Sequence, residues 1–307
     1  MYKIFIDGSA GTTGLKIFER LSSRKDLQII TLPEEIRKDL SARKDALNSC
    51  DVAFLCLPDA AAIEAVSLIE NPEVRVIDTS TAHRTNPEWA YGFPELKGKR
   101  EQIIDSKRIA NPGCHASGFV SLINPLVETG LIDKSAALTC FSITGYTGGG
   151  KKMIAEYEGE DKPLLYQAPR QYALGQSHKH LPEIKAVCGL EVAPLFCPIV
   201  ADFPCGMEVT VPIFKKDLNG SIDDVKETYK KLYVGDVVKF NDSADESGFL
   251  SASLKSGKDS MEISVFGNED RILLVSRFDN LGKGASGAAI QNMNIILGVE
   301  ETTGLVL

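Results

Sequence analysis

The chain has 307 residues, 43% of them hydrophobic and 25% charged, with a formal net charge of −8. That is the makeup of a globular protein with room for one large domain or two ordinary ones. The acidic balance argues against nucleic acid or an acidic membrane surface as the main partner, while leaving room for a local basic pocket that takes a phosphorylated ligand.

The N-terminus MYKIFIDGSAG has an apolar run too short for a signal peptide, and no stretch approaches the roughly 20 apolar residues that span a bilayer. Tyr2 to Ile6 reads as a short strand, Gly8 to Gly14 as a loop, and Leu15 to Leu21 as a helix by the spacing of its apolar residues. Leu27 to Leu32 reads as a second strand. Asp51 to Leu57 (DVAFLCL) is nearly continuous in apolar residues, as a parallel strand buried on both faces should be. Ala60 to Ile69 follows as a helix and Val74 to Ile77 as a strand. Strands alternating with helices predict a parallel sheet with βαβ crossovers.

The pattern changes after about Asn111. Ala116 to Leu126 reads as a helix, followed by longer β-rich runs at 137–143, 195–200, 207–214, 261–266 and 272–279. Ser221 to Tyr233 reads as one helix, with Ser221 as its N-cap and Asp223 and Asp224 in its first turn. Ala285 to Leu297 is a last apolar helix, expected to return to the first domain. The fold class is therefore α/β: a Rossmann-type N-terminal domain from 1–112 plus 284–307, and a second α+β domain from 113–283.

Three loops carry chemistry. Gly8-Ser9-Ala10-Gly11-Thr12-Thr13-Gly14 joins the first strand to the first helix, where glycines let the backbone approach a pyrophosphate and the helix N-terminus offers it N–H groups. Its spacing is GxxGxxG, and its place after the first strand is what points to a dinucleotide. Near the end of the second strand, Arg37 and Lys38 suit a 2′-phosphate and Glu34 suits a ribose hydroxyl; solvated helix charges are the plain alternative, and the reading favours NADP. Thr144 to Lys151 is a second glycine cluster, able to form an anion nest, with a flexible turn as the alternative. Asn280 to Ala285 is a third, expected to reach back to the cofactor.

Asn111-Pro112-Gly113-Cys114 sets a cysteine just after Pro-Gly and at the start of a helix, where a thiolate is favoured. The other cysteines, at 50, 56, 140, 188, 197 and 205, lie mostly in apolar runs and read as small buried residues. Seven cysteines without a CxxC pair suit a reduced, cytoplasmic protein. A cysteine nucleophile needs a proton partner, and the four histidines are His83, His115, His178 and His180. His178 and His180 form an HxH pair without further ligands, so no metal is expected. His115, next to Cys114 along a helix, is expected to point elsewhere, as a supporting or surface residue. Arg84 has the fork that suits phosphate or carboxylate, or a structural ion pair.

Taken together, FIDGSAGTTGL, DVAFLCLPD, VIDTSTAHR, YGFPEL, NPGCHASG, TGYTGGGKK, SHKHLPEI and DNLGKGASGAAIQNMN resemble the short-type N-acetyl-γ-glutamyl-phosphate reductase family of the semialdehyde dehydrogenase superfamily over nearly the whole chain. The resemblance implies an NADP(H)-dependent, phosphorylating acyl-phosphate reductase working through a cysteine thioester, with Cys114 as nucleophile and His178 as acid/base. It further implies Ser80, Asn280 and Gly284 at the cofactor, and Arg84, Asn111, Gly148 and His180 at a small acyl-phosphate substrate. A cytoplasmic homodimer or homotetramer is expected. Two departures stand out: His115 where Tyr or Phe is usual, and Ser117 where Thr is usual. Sister enzymes acting on aspartyl or carrier-bound aminoadipyl phosphate, a cysteine hydrolase or acyltransferase without nicotinamide, and a noncatalytic NADP-binding regulator are the rival readings.

Overall fold

The computed structural model describes residues 1–307. They divide into two compact units: Met1–Pro94, Gly98–Pro112 and Ala285–Leu305 form the first, and Glu95–Lys97, Gly113–Gly284 and Val306–Leu307 form the second.

The first unit runs β1 (Tyr2–Asp7), α1 (Thr12–Leu21), β2 (Leu27–Ile30), α2 (Leu40–Ser49), β3 (Val52–Leu55), α3 (Asp59–Ser67), β4 (Arg75–Asp78), β5 (Ala90–Tyr91), α4 (Lys99–Asp105) and β6 (Arg108–Ala110). Its six strands are all parallel, in the order β2-β1-β3-β4-β6-β5. The four residues of β3 are all fully buried, which explains the continuous apolar run. Alternation along β1 feeds two cores. Ile4 and Ile6 join one cluster with Ile17, Leu21, Phe54 and Ile77, while Phe5 joins another with Leu47, Leu55, Ala62 and Val76. Sequence periodicity does not mark β5 or β6, since strands of two and three residues are too short to show an alternation.

The second unit runs α5 (Cys114–Glu128), β7 (Thr139–Gly145), α6 (Gly150–Glu158), β8 (Arg170–Gln171), α7 (His180–Cys188), β9 (Leu195–Ala201), β10 (Met207–Phe214), α8 (Ile222–Leu232), β11 (Val238–Phe240), β12 (Met261–Gly267) and β13 (Arg271–Phe278). The strands form one mixed sheet, β11-β12-β13-β10-β7-β9-β8. Helix α5 is buried from His115 to Val127 and lies directly on β10: a Cβ at Gly118 would stand 2.4 Å from a Val209 methyl. Tyr229 of α8 is fully buried and donates its hydroxyl to the Leu122 carbonyl. Ser221 and Asp224 close a reciprocal capping box at the start of α8, as the Ser-x-x-Asp spacing predicts. A π-turn over Gly282–Ser286 precedes α9 (Gly287–Leu297), whose Ala289, Ile290 and Met293 complete the Ile4–Ile6 cluster of the first unit. No helix is long and apolar enough to cross a membrane.

Candidate active site

In the first unit the strand order reverses direction around β1, with β2 on one side and β3 on the other. In open parallel sheets a crevice for ligands lies outside the carboxyl ends of the strands at such a point. A cavity of about 400 Å³ is found there, lined by Gly8–Gly11, Thr31, Leu32, Arg37, Lys38, Arg43 and Cys56–Pro58, among others. Gly8 has φ +87°, and a Cβ on it would fall 2.3 Å from the Cys56 carbonyl oxygen, so the turn needs glycine. Helix α1 starts at Thr12, earlier than the spacing of its apolar residues suggests, so Thr12, Thr13 and Gly14 form its first turn. Its N-cap Gly11 supplies no side-chain cap, and its first turn holds no acidic residue. Such an end suits a pyrophosphate: backbone donors, no competing carboxylate, and a turn that only glycine fits.

The basic side of the cavity is built from Arg37, Lys38 and Arg43. Arg37 pairs with Glu34 at 2.9 Å on the surface, and Glu34 itself is not part of the lining. Residues 34–38 form a turn, not a helix, and α2 begins only at Leu40. Arg43 is buried and bonds both Asp7 (3.0 and 3.1 Å) and Glu64 (2.9 Å). Burial pushes the Asp7 carboxyl above its ordinary value in spite of Arg43. Neither Asp7 nor Arg43 is among the residues expected from sequence; the signal for Asp7 was its place at the end of β1, directly before the glycine turn.

Ser80, expected at the cofactor, is buried and gives both its amide and its hydroxyl to Asp78. Arg84 donates Nε to the Asn111 carbonyl (3.0 Å) and Nη2 to the Thr79 carbonyl (2.9 Å), so part of its fork braces the ends of β4 and β6. Asn111 is 1% exposed; its Nδ2 donates to the Ala285 carbonyl and its Oδ1 accepts from Asn292. These side-chain atoms hold local structure.

In the second unit Cys114 is the first residue of α5, after N-cap Gly113, and is partly exposed. The aligned peptide dipoles of a 15-residue helix favour a thiolate at that end. The other thiols differ: burial pushes Cys50 and Cys56 up to about 12, and raises Cys140 and Cys188 further. No cysteine is in a disulfide. Gly284 belongs to this surrounding: a Cβ on it would stand 3.0 Å from the Cys114 Cβ. The loop expected to reach back to the cofactor thus brings Gly284 beside Cys114. Asn280 also lies in the second unit and clamps two loops, accepting from the Gly206 amide and donating to Thr147 Oγ1. Gly148 is exposed in the short 3₁₀ turn Tyr146–Gly149, with Asn280 Nδ2 beside it.

Three histidines gather around this helix start. The His178 ring is 4.7 Å from His180 and 5.8 Å from His115 by centroids, and His115 is 5.5 Å from His180. His178 Nδ1 accepts the His180 amide at 3.2 Å, which leaves Nε2 as its exchangeable atom. Burial, then the charge of Lys179, lower the His178 pKa below its ordinary value, so the ring is neutral at pH 7. His115 is a correction to the surface reading: it is only 3% exposed, because the segment 172–180 folds over the first turn of α5. Tyr172, Ser142 and Glu183 also belong here and are not among the residues expected from sequence. Glu183 lies in the quoted HKHLPEI motif, but nothing in the motif shows that its carboxylate accepts the Gly113 amide at 2.8 Å. No group of three or more His, Cys, Asp or Glu is arranged to hold a metal ion.

Two family models match the chain: the NAD binding domain of semialdehyde dehydrogenase over residues 3–106, and the semialdehyde dehydrogenase dimerisation domain over residues 114–280. Among curated relatives, an N-acetyl-γ-glutamyl-phosphate reductase of Brucella suis is 47% identical, covering 96% of this chain and 99% of the relative, and that of Brucella ovis is 46% identical with the same coverage. Solved structures share the fold at low identity. Aspartate semialdehyde dehydrogenase II of Vibrio cholerae, complexed with ASA, superposes with a TM-score of 0.71 at 15% identity, covering 97% of this chain and 98% of that one. The Candida albicans aspartate semialdehyde dehydrogenase, with NADP, gives 0.71 at 16% identity over 97% of this chain and 99% of that one.

Proposed function

The chain belongs to the N-acetyl-γ-glutamyl-phosphate reductases of the semialdehyde dehydrogenase family, and on that premise we propose that it reduces N-acetyl-γ-glutamyl phosphate with NADPH to N-acetylglutamate 5-semialdehyde and phosphate. The observation that carries the reading is a partly exposed thiol at the N-terminus of a buried helix, in a unit where three histidines gather at that helix start.

The Cys114 thiolate attacks the acyl carbon; the bond from that carbon to the phosphate oxygen breaks, phosphate leaves with the electron pair, and a thioester remains on Cys114. A thioester accepts hydride far more readily than a carboxylate, which is why a covalent step helps. The nicotinamide cofactor, when bound, supplies the hydride. The resulting oxyanion on the carbon attached to Cys114 is stabilised by backbone N–H groups in the first turn of α5. The C–S bond then breaks, releasing the aldehyde and restoring the thiolate. Cys114 enters the cycle as the thiolate that the helix N-terminus favours, and neutral His178, whose Nδ1 accepts the His180 amide, carries its single proton on Nε2 and offers that N–H to the oxyanion. Gly8–Gly14 and the N-terminus of α1 would hold the pyrophosphate, and Arg37 and Lys38 would hold the 2′-phosphate that marks NADP.

The second unit supports a homodimer or homotetramer. Phe141, Leu195 and Leu273 are 44%, 56% and 41% exposed. The registers Thr139↔Leu195, Phe141↔Thr210 and Pro212↔Leu273 place them on the sheet face opposite the one that α5 covers. A reduced, cytoplasmic setting suits the seven thiols.

The test runs the reaction backwards, because the acyl phosphate is unstable. The protein is mixed with N-acetylglutamate semialdehyde, phosphate and NADP⁺ or NAD⁺, and the reduced cofactor is followed by absorbance. Phosphate-dependent reduction of NADP⁺ that disappears in Cys114→Ser is the expected result. A signal only with aspartate semialdehyde would move the substrate, and a signal only with NAD⁺ would move the cofactor.

A further inference from the structure

Asp279 follows β13 and begins the turn that ends at Gly284. It is buried, and three backbone amides donate to its carboxylate. Oδ1 accepts the N–H of Leu281 at 2.7 Å and of Gly282 at 2.8 Å, and Oδ2 accepts the N–H of Gly257 at 2.6 Å. The Asp279 carbonyl accepts the N–H of Gly284 at 2.9 Å. Hydrogen bonds to a charged acceptor are the strong kind, and a buried carboxylate needs them to offset its desolvation. No regular ladder holds this segment, so the amides of Leu281 and Gly282 depend on that one side chain.

Both glycines of the turn lie against other backbone or side-chain atoms. A Cβ on Gly282 would fall 2.0 Å from the Lys258 carbonyl oxygen. A Cβ on Gly284 would stand 3.0 Å from the Cys114 Cβ and 3.3 Å from the Phe278 ring. The same ring would meet a Cβ on Gly118 at 3.0 Å, and Gly118 shares the helix face of Cys114, four residues on. The turn is thus seated on the first turn of α5. Lys283, between the two glycines, is fully buried, and its Nζ donates to both Glu95 oxygens at 2.8 Å. That ion pair is a second pin on the same turn.

We propose that Asp279 is a positioning residue: by holding the amides of Leu281 and Gly282 it keeps Gly284 seated against Cys114, so that the turn walls one side of the Cys114 side chain. An acyl group carried on that residue is confined to the remaining sides, and water is kept from the walled one. The use of the wall in catalysis rests on the reading of Cys114 as the nucleophile.

The experiment reads the wall without substrate. Cys114 in the full chain is alkylated with iodoacetamide and with its bulky fluorescein derivative, which react by the same chemistry. The ratio of the two rates cancels changes in thiol reactivity and reports access alone. Peptide mass counts Cys114 apart from Cys205, whose thiol is raised chiefly by burial and then by the Asp279 charge. Asp279→Ala frees both amides and is expected to raise the bulky-to-small ratio about tenfold or more, the gain in local opening when a bond to a charged group is lost. Asp279→Asn, whose Oδ1 still accepts from Leu281 and Gly282, is expected to stay within about twofold of the wild type. A role confined to stability, or a turn held by Lys283 and Glu95 alone, predicts an unmoved ratio in the folded Asp279→Ala protein. That result overturns the proposal, as does an Asn variant as open as the Ala variant. If Asp279→Ala does not fold, Asp279→Ser provides the test. Its hydroxyl accepts the same amides more weakly, so the ratio must rise to an intermediate value, and an unchanged ratio rejects the assignment. Because the reverse assay with substrate is separate, an inactive protein with the expected ratios would leave this proposal standing while the functional reading fell.

Discussion

The carboxylate of Glu183 accepts the backbone N–H of Gly113 at 2.8 Å, one residue before Cys114. Glu183 is 1% exposed and belongs to α7, the helix that His180 begins. One bond thus ties the loop before Cys114 to the histidine helix. Removing a buried partner of this kind costs about 1.5–3 kcal/mol. Glu183→Ala is expected to lower stability by that amount and to reduce turnover. Glu183→Gln, whose amide oxygen still accepts, should lose markedly less of both. Urea unfolding of the two variants beside the wild type checks this, and equal losses would show that the Gly113 bond contributes little.

In the proposed cofactor cavity a 2′-phosphate and a pyrophosphate would meet different residues. Replacing Arg37 and Lys38 together by Ala is expected to weaken NADP⁺ binding by about 10- to 100-fold, the worth of a charge-assisted bond, and to change NAD⁺ binding by less than about threefold. Fluorescence or calorimetric titration of both cofactors measures the ratio. Gly8→Ala should weaken both alike, since its Cβ would collide with the Cys56 carbonyl at 2.3 Å and distort the turn itself.

Stability should depend on pH through His115. Its folded pKa, about 3, lies below the ordinary 6.5. The unfolded chain therefore binds the proton more tightly, and the contribution of neutral His115 is full above about pH 6.5 and is lost as pH falls toward 3. The loss is about 1.4 kcal/mol for each pH step within that window. His115→Phe removes this dependence. Urea unfolding at pH 7 and pH 5 should give a smaller difference in the variant than in the wild type; identical differences would place the titration elsewhere.

The exposed sheet face of the second unit is the proposed contact between copies. Phe141→Glu puts a charge into its centre and is expected to weaken self-association by about 30-fold or more, as loss of an interface hot spot does. Sedimentation velocity across a concentration series checks it. An unchanged profile would move the interface away from β7.

The fold was legible wherever local chemistry repeats. The run DVAFLCL announced a strand buried on both faces, and β3 is fully buried. Ser221 announced the start of α8 and caps it. The short pieces β5, β8 and β11 were not legible, because two or three residues carry no periodicity and exist only where a neighbouring strand offers a ladder. The neighbour of Gly284 was not legible either: its missing side chain makes room for the Cβ of Cys114, far away along the chain.

The sequence by itself determined the glycine turn after β1, the cysteine at the head of α5 and the histidine pair at 178 and 180, because each depends on residues within one turn or one loop. Only the tertiary structure decided what surrounds the sulfur. Ser142, Tyr172 and Glu183 reach their partners across 27, 57 and 70 positions. Hydrogen bonds over such separations leave no pattern along the chain; they arise when α5, α7 and the segment between them are packed on the sheet and buried polar atoms must find partners.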